Sequence, residues 1–394
     1  MTAPLPGVQA SGYPSILMVT TVACTIRNFL RPYAVHFRRL GWRVEAAANG
    51  ATVDPALDGY FDRLHELPLS RSILDIGGMA RTLEALSRIL ENGYDIVHVH
   101  TPIAAFVTRA AIRRIPAHAR PIVVYTAHGF HFHPQAGLTR NALFSTAERV
   151  AGRWTDRLVV INEVDHAAAL RLHIVPRRRL ILMPGIGVDT DEYSLSSVSA
   201  SDIARAREQV GLDPATPFFA VVGELSLRKR PFDVVAALAR MRHRDCHLVL
   251  LGDGPERPRV EAAIRDGGVG DRVHLVGEVS DVRPFVTASN ALVLASGMEG
   301  LPRSIMEALS LEVPVITTDA RGNPDLVAPD AGLIVPVGDT TALARAMDQV
   351  LDDPDAARAM GLRGRRRMVE RYALPILISQ HEALYGELLA GRSR

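Results

Sequence analysis

The 394-residue chain predicts an α/β protein made of two Rossmann-like, doubly wound domains. Three observations carry that prediction. Short apolar runs alternate with helical patterns in both halves, the signature of parallel sheets covered on both faces. The alternation breaks between Pro184 and Pro217, where Gly185, Gly187, the run Ser194–Ser201 and Pro214 fall, and then restarts. The length exceeds one ordinary core and suits two of roughly 150–200 residues each. The domains read as residues 1–187 and 188–375, with a last helical segment over 376–394.

In the first half the apolar runs Ile16–Thr20, Val44–Ala48, Ile96–His100, Ile122–Thr126 and Leu158–Ile161 predict strands. Helical spacing covers Asn28–Leu40, Met79–Glu91, Ala104–Ile115, Leu143–Arg153 and Val164–Leu172. The break reads as an interdomain connection with a short helix near Ile203–Val210. Strands then follow at Phe218–Val222, His247–Leu251, Val273–Val276, Ala291–Ala295, Val313–Thr317 and Gly332–Val335. The segment Ile376–Leu389 follows Pro375 and is apolar on one face. Two such units joined by a hinge face each other across a cleft at the carboxyl ends of their strands, where ligands bind.

Composition narrows the classes. No apolar run approaches a membrane span, and MTAPLPGVQASGYP lacks the basic and apolar regions of a secretory signal, so the cytoplasm is the expectation. Cys24 and Cys246 are far apart and lack metal-ligand spacing; they read as buried thiols in a reducing compartment. The first 195 residues hold 21 arginines against 16 acidic residues, and the remainder 24 basic against 27 acidic. That mild basic excess suits contact with anionic lipid head groups or a phosphorylated acceptor but is too sparse for nucleic acid. Arg113-Arg114, Arg120 and Arg177–Arg179 read as solvated or membrane-proximal charge. Lys229 is the single lysine beside 44 arginines, which suggests a place where a compact ammonium serves better than a planar fork.

The window Ser296–Pro314, SGMEGLPRSIMEALSLEVP, is the most informative stretch. Pro302 suits a first helical position because its missing N–H would be unpaired there. Gly300 and Leu301 offer no side-chain oxygen to cap the helix. The N–H groups of Gly300, Leu301, Arg303 and Ser304 are therefore expected to hold an external anion. Glu299 would stand at the mouth of this site and Glu307 about a turn and a half inside. Carboxylates so placed can accept hydrogen bonds from sugar hydroxyls. A phosphate site flanked by two hydroxyl acceptors points to a sugar nucleotide.

A second phosphate-facing element, Gly223-Glu-Leu-Ser-Leu-Arg-Lys-Arg-Pro231, follows the first strand of the second domain, so Arg228 and Lys229 should face a bound pyrophosphate. The run Tyr125–His133 holds His128, His131 and His133, but no Cys or Asp completes a tetrahedral set, so metal is not expected. A core role for His128 is the bland alternative. Gly252-Asp-Gly254 lacks the third glycine of a dinucleotide fingerprint, so NAD is not indicated. Asp189-Thr-Asp191 falls in the interdomain break and reads as loop. The loop Thr20–Arg27 should face the cleft on the acceptor side, with Thr21 and Arg27 as candidate contacts.

These motifs resemble retaining glycosyltransferases of the GT-B fold, family 4. The carriers are the Glu-x7-Glu pair, Glu312–Asp319, Asp330–Pro336 and the Lys229 loop. His128-Gly-Phe-His-Phe, Glu148-Arg, Trp154-Thr-Asp156 and Ile161-Asn162 resemble the capsule and exopolysaccharide branch. The resemblance implies a terminal helix (376–394) crossing back to an acceptor-side first domain, and a nucleotide-sugar-binding second domain. It implies that Lys229 grips the donor diphosphate, Glu299 the donor sugar and Glu307 the ribose, with His128 beside the sugar. Glu224 stands where the family usually has arginine, and Arg228 is assigned that role. Gly223, Gly252 and Val279, in the stretch Val276–Asp281, would border the nucleotide. The implied reaction moves a hexose or N-acetylhexosamine from a UDP-sugar to a saccharide carried on a lipid diphosphate, without metal or cofactor, the cationic groups stabilising the leaving diphosphate. A soluble acceptor is the alternative within this class. The rivals outside it are a pyridoxal-phosphate phosphorylase with Lys229 as Schiff base and a non-catalytic sugar-nucleotide binder.

Overall fold

Alternating apolar runs become strands buried on both faces in the computed structural model, which describes residues 13–70, 75–132 and 137–392. Residues 1–12, read above for a signal, and His133 lie outside the described residues. The chain divides into two compact units: residues up to Ile186 together with those from Pro375 onward, and Gly187–Leu374.

The first unit holds β1 (Ser15–Val22), β2 (Arg43–Asn49), β3 (Arg63–Glu66), β4 (Ile96–Val99), β5 (Ile122–Ala127), β6 (Arg157–Val160) and β7 (Leu180–Leu182). They form one sheet in the order β3-β2-β1-β4-β5-β6-β7, every pair parallel. The inner strands β4 and β5 are wholly buried, as a parallel sheet between helical layers requires. Leu17, Val97, Val99, Val123 and Tyr125 share one core with the helices Ile76–Leu90 and Pro102–Ile112. Each buried aliphatic side chain there contributes roughly 1.5–3 kcal/mol relative to exposure. The edge strands β3 and β7 go beyond the strands read from the sequence. Arg-Leu-His-Glu and Leu-Ile-Leu are too short and, in β3, too polar to show a period; their neighbours' backbones recruit them.

After β1 the chain turns helical at Ala23, earlier than Asn28, and passes through a π-helical turn, Ile26–Leu30, before the helix Arg31–Arg39. The last helix, Leu374–Arg392, buries Leu377, His381, Leu384 and Tyr385 along one face. Tyr385 meets β4, its hydroxyl 2.5 Å from His98 Nδ1, so the segment from Pro375 packs on the first unit.

The second unit is a sheet of β8 (Phe218–Val222), β9 (His247–Leu251), β10 (Val273–Gly277), β11 (Ala291–Leu294), β12 (Val315–Thr318) and β13 (Gly332–Val335). Its order is β10-β9-β8-β11-β12-β13, again all parallel. Chain direction across the sheet reverses between β8 and β11, the switch point at which doubly wound sheets bind ligands. From Gly187 onward the glycine- and serine-rich segment belongs to this unit rather than to a linker. Within it, helix Ala200–Gln209 starts at a Ser199/Asp202 capping box, and Asp189 caps a turn by accepting from the Asp191 and Glu192 amides. The Asp-x-Asp stretch is therefore loop. Cys246 is buried, whereas Cys24 is partly exposed and not fully buried as its sequence suggested.

Candidate active site

The loops after β8 and β11 lie side by side because those strands are neighbours at the switch point of the second unit. The neighbouring strands β8 and β9 each run directly into a glycine for a steric reason. Gly223 and Gly252 sit at φ +139° and +136°, and a Cβ on Gly252 would stand 2.2 Å from the Gly223 carbonyl oxygen. Only glycine allows these backbones to approach so closely. The Lys229 side chain then passes over Gly223, its Cε 3.6 Å from where a Cβ there would be.

Glu299 gathers the cations. Lys229 Nζ lies 2.7 Å from Glu299 Oε1, and an Arg228 guanidinium nitrogen donates to Oε2 at 2.7 Å. Ser296 Oγ donates to Oε1, also at 2.7 Å. The Arg228 carbonyl accepts from the Gly297 amide at 2.9 Å, which locks the two loops together. Glu299 is only 7% exposed. Burial by itself would raise its carboxyl, but Lys229 and then Arg228 hold it below the usual carboxylate range, so it stays ionised. Ser296 did not stand out in the sequence; it lies three residues before Glu299, and its role depends on the bend between them.

The helix carrying Glu307 spans Arg303–Ser310, with Pro302 as its N-cap rather than its first residue. Pro302 takes extended ψ there, and a proline cap supplies no side-chain acceptor to the first-turn amides. Ile305, Met306, Ala308 and Leu309 fix the helix in the core. Leu301 packs against the same cluster, and the Ser304 hydroxyl is buried without a partner among the described residues. Glu307 pairs with Arg303 at 2.9 Å and accepts from the Tyr193 hydroxyl, whose pKa is pushed upward by burial and then by the Glu307 charge. Tyr193 comes from the segment read as a connection, so its sequence context hid it. The Gly300 carbonyl is approached by Gly322, at φ +82°, where a Cβ would fall 1.6 Å from that oxygen. Arg321 donates to the Glu299 carbonyl at 3.2 Å. Val279 packs against the cluster of Phe218, Val249 and Leu251, so it contributes to a wall more than to an open contact.

In the first unit His128 follows β5. Its Nε2 lies 3.2 Å from His100 Nδ1, and its ring stacks on Phe29 with centroids 6.3 Å apart. Burial, then the neighbouring His381, pushes His128 down to about 4; His100 is lowered strongly by burial and by His98. Two neutral imidazoles at this distance share one N–H donor. His131 packs edge-on against Phe144. Thr21 lies in β1, where its amide and hydroxyl meet Thr101 Oγ1 at 2.8 and 2.6 Å. Arg27 sits in the π-turn and pairs with Asp54 at 3.3 Å. Among the described residues no group of three or more His, Cys, Asp or Glu is arranged to hold a metal ion.

Residues 25–185 match the model of the glycosyl transferase 4-like domain, and residues 202–367 that of glycosyl transferases group 1. EpsD of Bacillus subtilis (strain 168) is 31% identical over 89% of this chain and 91% of its own length. UDP-Gal:alpha-D-GlcNAc-diphosphoundecaprenol alpha-1,3-galactosyltransferase of Escherichia coli is 25% identical, covering 82% of this chain and 83% of its own. Among solved structures, Anabaena Alr3699/HepE in complex with UDP and glucose superposes with a TM-score of 0.78 at 19% identity, covering 95% of this chain and all of the other.

Proposed function

The chain belongs to the GT-B glycosyltransferases of family 4, and from that premise we propose that it transfers a hexose or N-acetylhexosamine from a UDP-sugar with retention of anomeric configuration. The acceptor is a saccharide carried on a lipid diphosphate, in the assembly of a surface polysaccharide at the cytoplasmic face of the membrane. The observation that carries the donor reading is the convergence of Lys229 and Arg228 on Glu299 beside a helix start that no side chain caps. An ammonium has three donors, so Lys229 can hold Glu299 and a phosphate oxygen together. The Arg303–Ser304 helix start adds oriented amides. These groups stabilise charge developing on the leaving diphosphate, the part a divalent ion plays elsewhere. Each charge-assisted bond contributes about 1.5–3 kcal/mol.

Glu299, fixed by its two cations, orients the sugar hydroxyls, and Glu307 accepts from the ribose in place of Tyr193 or Arg303. His128, neutral near pH 7, borders the sugar. The donor phosphate assists deprotonation of the acceptor on the face from which UDP leaves. The lipid-diphosphate acceptor is supported by the named substrate of the Escherichia coli relative, whose match spans most of both chains. No helix of the described residues is long and apolar enough to cross a membrane.

The test combines purified protein, a panel of UDP-sugars and an N-acetylhexosamine-diphosphate-lipid acceptor, with the product anomer read by proton NMR. An axial donor should give an axial product, and chelation by EDTA should leave the rate unchanged. An inverted product, or a rate abolished by EDTA and restored by manganese, would defeat this reading.

A further inference from the structure

One recess of the first unit has a volume of about 1060 Å³, and none of His128, Thr21 and Arg27 lines it. It opens at the amino-terminal ends of β5 and β6, where Ile122 and Arg157 line it, and is closed by the end of the last helix. His128 follows the opposite end of β5, about 20 Å away along a six-residue strand. Seven arginines line the recess against two carboxylates, Asp156 and Glu387. Asp156 is occupied by the Val123 amide at 2.8 Å, and Glu387 by Arg157 at 2.8 Å. The described lining thus carries an excess of five positive charges.

Part of this charge is held in place. Arg120 donates to the Ile115 carbonyl at 2.8 Å, Arg179 to the Thr155 carbonyl at 3.2 Å, and Arg392 to the Arg120 carbonyl. Carbonyl partners orient a guanidinium without cancelling its charge. Arg113, Arg153 and Arg178 line the recess as exposed residues, and no described residue accepts from the guanidinium of Arg153 or Arg178. Like charges crowded this way repel one another, a cost an anion relieves. Guanidinium forks match phosphate oxygens in pairs. Trp154 forms part of the wall.

We propose that this recess is a second anion site, taking a ligand with two or more phosphate groups, either free in solution or presented by lipid head groups. The site is independent of the donor reading, because it uses none of the donor residues.

Trp154 is one of two tryptophans; the other, Trp42, is 5% exposed in the core, so fluorescence changes on binding report on the recess. Inorganic tripolyphosphate titrated into the full chain should alter this signal saturably. The double variant Arg153→Glu/Arg178→Glu should weaken binding at least about tenfold, as loss of two charge-assisted contacts does. Arg358→Glu, an exposed arginine of the other unit, should change it less than about twofold. Sedimentation with phosphatidylglycerol vesicles separates the sources. A matching loss of vesicle binding in the double variant assigns the phosphates to lipid, and tripolyphosphate binding without vesicle binding assigns them to a soluble ligand. The proposal fails if the double variant leaves both measurements unchanged, or if Arg358→Glu weakens binding as much as the double variant.

Discussion

Replacing Lys229 by alanine separates a static ion pair from a phosphate grip. Glu299 would keep Arg228 and Ser296, each at 2.7 Å, so its buried charge is not orphaned. The stability cost is then that of one charge-assisted bond, about 1.5–3 kcal/mol, and not the roughly 3–5 kcal/mol of an uncompensated buried charge. For a unit of this size the melting point should fall by about 3–12 °C. Turnover should fall much further than stability, by about two to three orders of magnitude, because a donor to the departing diphosphate is gone. The assay is UDP release from the preferred UDP-sugar with acceptor present, run well below the melting transition so that unfolding does not enter the rate. Glu299→Gln gives the converse. It removes the negative charge between Lys229 and Arg228, so UDP should bind at least as tightly while the melting point drops through repulsion of the two cations. Turnover of Lys229→Ala within about threefold of the parent would remove the ammonium from catalysis. A tenfold loss of UDP affinity in Glu299→Gln would show that the carboxylate does not simply hold the cations.

Two further outcomes follow from other parts of the molecule. Gly322→Ala should lower the melting point by at least about 4 °C and weaken UDP binding, because its Cβ would displace the Gly300 carbonyl at 1.6 Å from a backbone already at positive φ; an unchanged melting curve would contradict this packing. The buried imidazoles should make the first unit acid-sensitive: His381 and His128 are pushed down to about 4 from the ordinary 6.5, first by burial. Their unfolded forms take up protons as pH falls below 6.5 and their folded forms do not. The stabilisation is therefore complete above pH 6.5 and lost on descending towards 4. At pH 5 His381 alone should account for about 2 kcal/mol. Urea midpoints at pH 7 and pH 5 read this directly, and greater stability at pH 5 would reverse the assignment.

The strands that carry the fold were legible because the pattern is local. Runs such as Ile122–Tyr125 and Leu248–Leu251 are apolar throughout, as burial on both faces of a parallel sheet favours. The edge strands β3 and β7 were not, since three or four residues paired on one side borrow their conformation from a neighbour. The candidate site divides along the same line. Glu299, Glu307 and the helix start share one window of sequence, and Lys229 stood out by composition. Tyr193 did not, because it reaches Glu307 from a segment that reads as a connection. Thr21, read as part of the loop, lies inside β1, and its amide and hydroxyl meet Thr101, which lies eighty residues further on.

Residue order alone determined which segments are the inner strands, where the alternation restarts, and which charged groups stand at strand ends. It could do so because backbone periodicity and the cost of burying polar groups act over a few residues at a time. Only the tertiary structure decided partners. Lys229 and Glu299 are seventy residues apart and meet because β8 and β11 are neighbours at the point where the sheet reverses. Dispersed arginines such as Arg120, Arg157 and Arg392 gather round one recess because three elements of the first unit end there. Adjacency of that kind depends on how sheets wind and helices return, which no short stretch of sequence encodes.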